Sequence, residues 1–366
     1  MMKKKIALAL AMIMMITMFA GCGEKELSDA DKGIVKDDET WTIQDSLGRE
    51  IEMTGNIDRI APTGAAAQMV LITLAPEKLV GLSNEPTAEE LKYYPECAKD
   101  LPVFGQMFGK KSNLNAEALL AADPQLIVDM GEKTDSTKEE MDALQEQLGV
   151  PVMFINGDID SMADCYHALG IILAEKERAD KMVAYIEEAL NHAKKRARNM
   201  EDSDKVSIYY GTGPDGLAAN AAGSIQADVI DIIGAKNVIE VPENEMTGMN
   251  GGTIVSLEKV YKEDPDMIIL SDKAAYEAMS GKEWADLPAV KADSYYEIPS
   301  APNCWMGGPP SVNRILGIWW LGNLCYPSNY NFDMKEKTKE FFDLFWNYDL
   351  SDEEVEEMLK NSSLKW

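Results

Sequence analysis

Two stretches far apart in the chain read almost alike: Asn115-Ala-Glu-Ala-Leu-Leu-Ala-Ala-Asp-Pro-Gln-Leu-Ile-Val128 and Ser256-Leu-Glu-Lys-Val-Tyr-Lys-Glu-Asp-Pro-Asp-Met-Ile-Ile269. Each opens on a helix-capping side chain, carries a glutamate two places on (Glu117, Glu258), and closes with Asp-Pro and an apolar run. A capping side chain accepts from the free amides of a first turn, and proline cannot continue a helix. A short apolar run after that stop suits a buried strand. The same helix-stop-strand unit is therefore written twice. A single long-range repetition is not a solenoid, which stacks several short repeats. It predicts two similarly built α/β lobes, and two lobes facing each other leave a cleft in which a small ligand can bind.

The beginning of the chain bears on where this happens. Lys3, Lys4 and Lys5 precede an apolar or neutral run from Ile6 to Ala20. A basic start followed by an apolar run too short to span a bilayer comfortably is a secretory signal, read here as residues 1–21. The run ends in Phe19-Ala20-Gly21-Cys22, which resembles the bacterial lipobox. That resemblance implies a lipid on Cys22 and an extracytoplasmic, membrane-anchored protein. An ordinary cleaved signal or an uncleaved anchor is the alternative. Residues 22–40 are polar and charge-rich without apolar periodicity, and read as a flexible tether.

Charge narrows the partners. Asp and Glu number 63 against 35 Lys and Arg, a formal net charge of −28. A surface so acidic is repelled by phosphate backbones, so nucleic acid is not an expected partner. Besides Cys22 there are Cys97, Cys165, Cys304 and Cys325, widely spaced and without C-x-x-C. Outside the cytoplasm a disulfide is open to them, but four such cysteines are no scaffold, and buried free thiols are the favoured expectation.

Along the chain, Trp41 to Asp45 and Arg49 to Met53 flank Ser46-Leu47-Gly48 as a hairpin. Residues 59–63, 79–83, 126–130 and 152–155 are strand candidates that alternate with helical stretches, the pattern of a parallel sheet covered by helices. From Glu175 to Met200 the stripe Ala179, Met182, Val183, Ile186, Leu190, Ala193 and Ala197 keeps helical spacing. Glutamates open that segment and Lys194, Lys195, Arg196 and Arg198 close it, both signs suiting the helix dipole. One long helix of about 39 Å is expected, enough to tie one lobe to the other. The organisation read here is a lobe over 41–174, the linking helix over 175–201, and a second lobe over 202–366. The second lobe restarts at 206–210, continues through 266–271 and 295–299, and ends in helices over 334–359.

These pieces together resemble the substrate-binding lipoproteins of bacterial ABC importers, in the group that handles iron-siderophores, haem, cobalamin and, in some members, molybdate or tungstate. The matching segments are Asp45-Ser-Leu-Gly-Arg49, Ile57-Asp-Arg-Ile60, the two glutamate-bearing units and Gly223 to Val238. They continue with Pro309-Pro310-Ser311 through Trp320-Leu321, Tyr326-Pro327, and Phe342 through Glu353. The resemblance implies an α/β fold of two Rossmann-like lobes with central sheets, joined by one rigid helix, with the ligand cleft between them. It implies an iron chelate, siderophore or haem-like, as cargo, and an ABC permease with its ATPase as partners. It also implies a monomer with no cofactor of its own. Cobalamin or a molybdate-type oxyanion is the alternative cargo, and a lipid-anchored surface enzyme is the remaining class. Glu117 and Glu258 take the positions of the glutamates that dock onto the permease. The dipole alone favours a first-turn carboxylate by about 0.3–1 kcal/mol, which accounts for either glutamate without a partner.

Several tempting motifs lead elsewhere. Gly211-Thr-Gly-Pro-Asp-Gly216 fits G-x-G-x-x-G, but Pro214 and the small residues after it delay any helix that could face a pyrophosphate. Gly105 to Ser112 has three residues between its glycines where a P-loop needs four. Neither G-x-S-x-G nor H-E-x-x-H occurs, and His167 and His192 are the only histidines, both in expected helices. A His-ligated metal or a His-dependent hydrolase is therefore disfavoured, and no catalytic or metal residue is assigned.

The cleft is expected at the strand-end loops. In the first lobe these offer Thr63 with Gly64, Tyr93, Tyr94, Gln106, Phe108 and the turn 131–133. In the second they offer Tyr210 and Thr212 within 209–215, then 246–252, 271–275, and Trp305 within 303–306. Singly, each aromatic is core material. As a set in loops they favour a chelate or macrocycle, with Tyr210 or a methionine available to a haem. A small oxyanion would want a cation, for which Arg314, Lys110 or Lys133 could serve.

Overall fold

The computed structural model describes residues 34–37, 40–107, 112–198, 200–242 and 252–364. Cys22 and the signal segment, Phe108, Lys110 and most of the 246–252 loop lie outside the described residues.

The first lobe begins with an antiparallel sheet of β1 (Ile34–Asp37), β2 (Thr40–Gln44) and β3 (Glu50–Thr54), in the order β1-β2-β3. Asp45 makes the β2–β3 turn: its Oδ1 accepts from the Leu47 and Arg49 amides, and Arg49 Nη1 returns to its Oδ2 at 3.3 Å. Four residues of the segment read as a tether thus form a strand. Ile34 faces Ile43 across the ladder and is buried, anchorage that four residues gain from a neighbouring strand and not from local sequence.

A parallel sheet follows, β4 (Ile60–Pro62), β5 (Leu126–Gly131) and β6 (Val152–Asn156), ordered β4-β5-β6. The expected strand over 79–83 reduces to isolated bridges, Ile60 with Leu79 and Leu82 with Val103. The helices of this lobe are α1 (Ala65–Leu74), α2 (Ala116–Ala121), α3 (Thr137–Leu148) and α4 (Met162–Ile172). Then α5 (Lys176–Ala197) crosses to the second lobe. Its buried face is Ala179, Met182, Tyr185, Ile186, Ala189, Leu190 and Ala193, and Val183 is half-buried. Gly170 of α4 meets Ala179 so closely that a Cβ there would overlap it.

The second lobe's sheet runs β10 (Thr253–Ile254), β8 (Ala218–Ala219), β7 (Ser207–Thr212), β11 (Met267–Leu270), β12 (Tyr295–Glu297), with β9 (Lys236–Asn237) also on β7. Its core strands are parallel, while β7 folds back onto β8 as a hairpin through Gly213 and Gly216, both at positive φ. The G-x-G-x-x-G segment is therefore a strand-turn-strand, with no helix start for a pyrophosphate.

The repeated unit has matching shapes in the two lobes. Helix α2 and its counterpart α7 (Leu257–Glu263, following the short α6, Asp228–Ile232) are both capped, by Asn115 on the Ala118 amide at 3.0 Å and by Ser256 on the Lys259 amide at 3.2 Å. Both are followed by an aspartate at left-handed φ, Asp123 at 52° and Asp264 at 45°, then proline. Each leads into a strand with a parallel neighbour on both sides, β5 and β11.

The chain ends with α8 (Asn313–Cys325), buried almost all round, then α9 (Met334–Phe341), a π-turn over Phe342–Trp346, and α10 (Asp352–Leu359). The terminal segment returns to the first lobe. Tyr93 meets Phe342 edge-on at 5.1 Å, Tyr94 stacks on Trp346 at 5.9 Å, and Tyr166 of α4 meets Phe345 at 5.7 Å. Among the described residues no helix is long and apolar enough to cross a membrane.

Candidate functional site

A cavity of about 440 Å³ opens where the first lobe's parallel strands end. In open α/β sheets the carboxyl ends of the strands form the ligand crevice, because the connections there diverge and leave backbone groups unpaired. The floor comes from Thr63 after β4, Asp129 to Gly131 of β5 and Phe154 of β6. One wall is the start of α1, Gly64 to Ala66, and another is the turn into α3, with Thr134, Ser136, Thr137 and Glu140. The second lobe closes it with Gly308, Pro309 and Pro310. A narrow slot of about 40 Å³, lined in part by Ala65 and Pro309 as well, adds Asn84, Glu85, Glu90, Tyr94, Asn303 and Trp346.

Asp129 sits at the floor, 5 % exposed, its Oδ1 accepting from the Thr63 hydroxyl at 2.8 Å. Burial pushes its carboxyl above the ordinary range, against the opposing effects of the Thr63 hydroxyl and the Met130 amide. A raised carboxylic pKa means that folding favours the protonated form. The penalty of the charge is full above the folded pKa and vanishes as pH falls to the ordinary range near 4. Asp129→Asn should therefore stabilise the ligand-free chain at neutral pH by about 1 kcal/mol, the usual size of a stabilising substitution, and raise its melting temperature. Near pH 4 the two proteins should melt alike. Calorimetry at both pH values checks this, and a variant less stable than wild type at neutral pH would contradict it.

Gln68 of α1, 4 % exposed, organises the slot. Its Oε1 accepts from the Ser83 and Asn84 amides at 2.7 and 2.9 Å, and its Nε2 donates to the Tyr94 hydroxyl at 3.1 Å. Asn84 in turn accepts from Gln106 Nε2. The lobes meet here as well, since Asn303 donates to Glu90 at 2.5 Å.

The residues singled out in the sequence divide accordingly. Thr63 and Gln106 line the cavity and Tyr94 lines the slot. Tyr93 belongs to the aromatic seam with Phe342 and Tyr348, and edges a separate groove by α10. Tyr210 is 2 % exposed with its hydroxyl 3.9 Å from Cys304 Sγ, and Trp305, 1 % exposed, donates to the Ala301 carbonyl at 3.0 Å. Neither of these two, nor Thr212, is among the residues lining the cavity or the slot.

Arg314 is wholly buried and spent on protein groups. Its Nη1 reaches Asp228 Oδ2 at 2.8 Å and the Ile225 carbonyl at 3.2 Å, and its Nη2 reaches the Gly157 carbonyl across the lobes. It is an interlobe tie, with four of its five N–H donors spent on protein acceptors and its side chain wholly buried away from the cavity lining. Lys133 is exposed and does not line the cavity. Residues missed in the sequence are Asp129, Thr137, Glu140 and the Gly308–Pro310 turn. A lone charge inside the apolar run of β5 was the available signal for the first. Among the described residues, no group of three or more His, Cys, Asp or Glu is arranged to hold a bare metal ion.

Glu117 and Glu258 are both exposed in the first turns of α2 and α7, and neither has an ion-pair partner among the described residues.

Comparison with known proteins agrees with this architecture. An uncharacterised ABC transporter substrate-binding lipoprotein of Bacillus subtilis (strain 168) is 23 % identical over 341 residues, covering 90 % of this chain and 99 % of that protein. The iron-uptake system-binding protein of the same organism is 24 % identical over 311 residues, covering 80 % and 90 %. An ABC transporter solute binding protein from Sulfurospirillum deleyianum superposes with a TM-score of 0.80 at 25 % identity, covering 87 % of this chain and 99 % of that one. The family model described as periplasmic binding protein matches residues 63–302, about two thirds of the sequence. The chain belongs to the periplasmic binding protein family.

Proposed function

We propose that this protein is the extracytoplasmic substrate-binding component of an ABC importer, held to the membrane by lipid on Cys22. It captures an iron chelate and passes it unaltered to the permease and its ATPase. The observation that carries this reading is the cavity at the strand ends, closed from the other lobe by Gly308–Pro310 and large enough for much of a chelate. The similarity to an iron-uptake system-binding protein supports iron as the cargo. Thr63, Gly64, Gln106 and Pro309 are the ligand contacts this reading assigns.

Interlobe ties limit how far the cleft opens. Besides Arg314 and Asn303, Ser311 Oγ donates to the Ala66 carbonyl at 3.1 Å. Delivery then rests on recognition of the loaded surface by the permease. A helix feeding a parallel strand runs back against it, so its first turn lies toward the strand's carboxyl end. On this reading the exposed Glu117 and Glu258 stand on the cleft side of their lobes and dock onto cations of the permease.

A small oxyanion is the second reading, favoured by the starts of α1 and α3, whose first residues line the cavity. A thermal-shift panel of ferric chelates, haem, cobalamin, molybdate and tungstate on the mature chain tests both. At a hundredfold excess over Kd a specific ligand adds about 2.7 kcal/mol, which is readily measured. A shift with a ferric chelate is expected. A shift with molybdate or tungstate alone would overturn the iron reading.

A further inference from the structure

We propose that the cleft selects its cargo by charge, taking a small ligand that carries net positive charge and rejecting net-anionic ones through Asp129, Glu132 and Glu140. Within the iron reading, on which the ligand's place in this cleft rests, the cargo is a ferric chelate bearing a free ammonium or similar cation.

Three carboxyls line the cavity, those of Asp129, Glu132 and Glu140, and no Lys or Arg does so among the described residues. The neighbouring slot adds Glu85 and Glu90, again without a described cation. Two features act in the opposite sense. The start of α1 is uncapped, because Gly64 has no side chain to give, and the start of α3 makes no side-chain cap hydrogen bond at Ser136. Each helix start presents roughly half a positive charge. Against three carboxylates, two half-charges leave the lining formed by the described residues negative by about two charges. Protonating Asp129 lowers that figure without changing its sign.

Asp129 supplies a separate observation. It is 5 % exposed and lines the cavity, yet its hydrogen bonds come from a hydroxyl and an amide, both uncharged. A buried charge is ordinarily paired, because leaving water without compensation is costly. Here the described chain offers no countercharge, and a cationic group entering the cavity supplies one. The lobe closing over it lowers the local dielectric and strengthens the attraction. The chain's overall charge of −28 favours the approach of the same class of ligand.

The test is a titration of the mature chain with four probes, followed by tryptophan fluorescence and calorimetry. They are a ferric tris-hydroxamate with a pendant ammonium, the same complex with that amine acetylated, a net-anionic ferric tris-catecholate, and a metal-free linear polyamine. The ammonium-bearing complex should bind at least about tenfold more tightly than its acetylated counterpart, a difference of about 1.4 kcal/mol. The tris-catecholate should bind more weakly than either. In Glu132→Gln/Glu140→Gln, at two exposed positions, the tenfold ratio should fall to about twofold. Asp129→Asn provides a second, isosteric variant with the same expected direction. Equal affinity for the two hydroxamates, tighter binding of the catecholate, or a ratio unmoved by both variants would overturn the charge rule. Carboxylate-dependent binding of the polyamine with no ferric complex bound would keep the rule and remove iron as cargo. Failure of both the ammonium complex and the polyamine to bind would overturn the rule.

Discussion

Glu117→Arg combined with Glu258→Arg should abolish uptake of the cargo while leaving its affinity for the isolated chain within about twofold of wild type. Both side chains are exposed, and neither contributes to the cavity or to an ion pair among the described residues. Their contribution to folding is limited to the dipole of one short helix each, about 0.3–1 kcal/mol. Reversal therefore spares the fold and changes only what the surface offers a partner. At a docking surface the same reversal replaces attraction by repulsion at two points, and like-charge juxtaposition across an interface costs several kcal/mol. Uptake by cells carrying the double variant, set beside ligand titration of the purified protein, separates the two effects. Transport at the wild-type rate would remove both glutamates from the docking surface.

The second large effect is on stability. Arg314→Met should cost about 3–5 kcal/mol, the usual result of breaking a buried pair on one side. It would leave the Gly157 and Ile225 carbonyls without their donor and Asp228 without its countercharge. Burial already outweighs attraction at this pair: the Asp228 carboxyl is pushed up to about 6 by desolvation despite the guanidinium beside it. The guanidinium is lowered to about 10 for the same reason. Adding Asp228→Asn to Arg314→Met should therefore recover part of the loss, since it removes the stranded charge. Denaturant midpoints of the three proteins check this. An Arg314→Met protein as stable as wild type would show that the lobes hold together without the tie.

The repeated units were the most legible part of this sequence. Capping residue, Asp-Pro stop and apolar run are local signals, and both units fold as those signals dictate, with Asp123 and Asp264 each adopting the same left-handed turn. The long helix was legible for a similar reason, its apolar spacing persisting over six turns from Lys176 to Ala197. What escaped depends on partners distant in sequence. Residues 79–83 look like a strand, yet only Leu79 and Leu82 find bridges. Ile34–Asp37 looks like tether and is a strand because β2 is beside it.

The site was harder to read than the fold. Tyr93 and Trp305 lie in loops near the cleft, where an aromatic suggests a ligand contact, but each is claimed by packing. Arg314 reads as an available cation until its four protein acceptors are assembled from Ile225, Asp228, Ser311 and Gly157. Asp129 carried the opposite signal, a charge amid Leu126-Ile-Val and Met130, which buried strands ordinarily exclude. Thr63 was accessible because it follows directly on β4, whose end opens into the cavity.

The central claim is that this cleft binds a ferric chelate and releases it unchanged. Calorimetric titration of the mature chain with a ferric tris-hydroxamate, followed by recovery of the ligand, tests it most directly. One complex per chain, abolished by a bulky Gly64→Trp at the cavity wall, with iron and chelator recovered intact, is the predicted result. Binding that Gly64→Trp leaves untouched, or a chelator recovered cleaved, would contradict it.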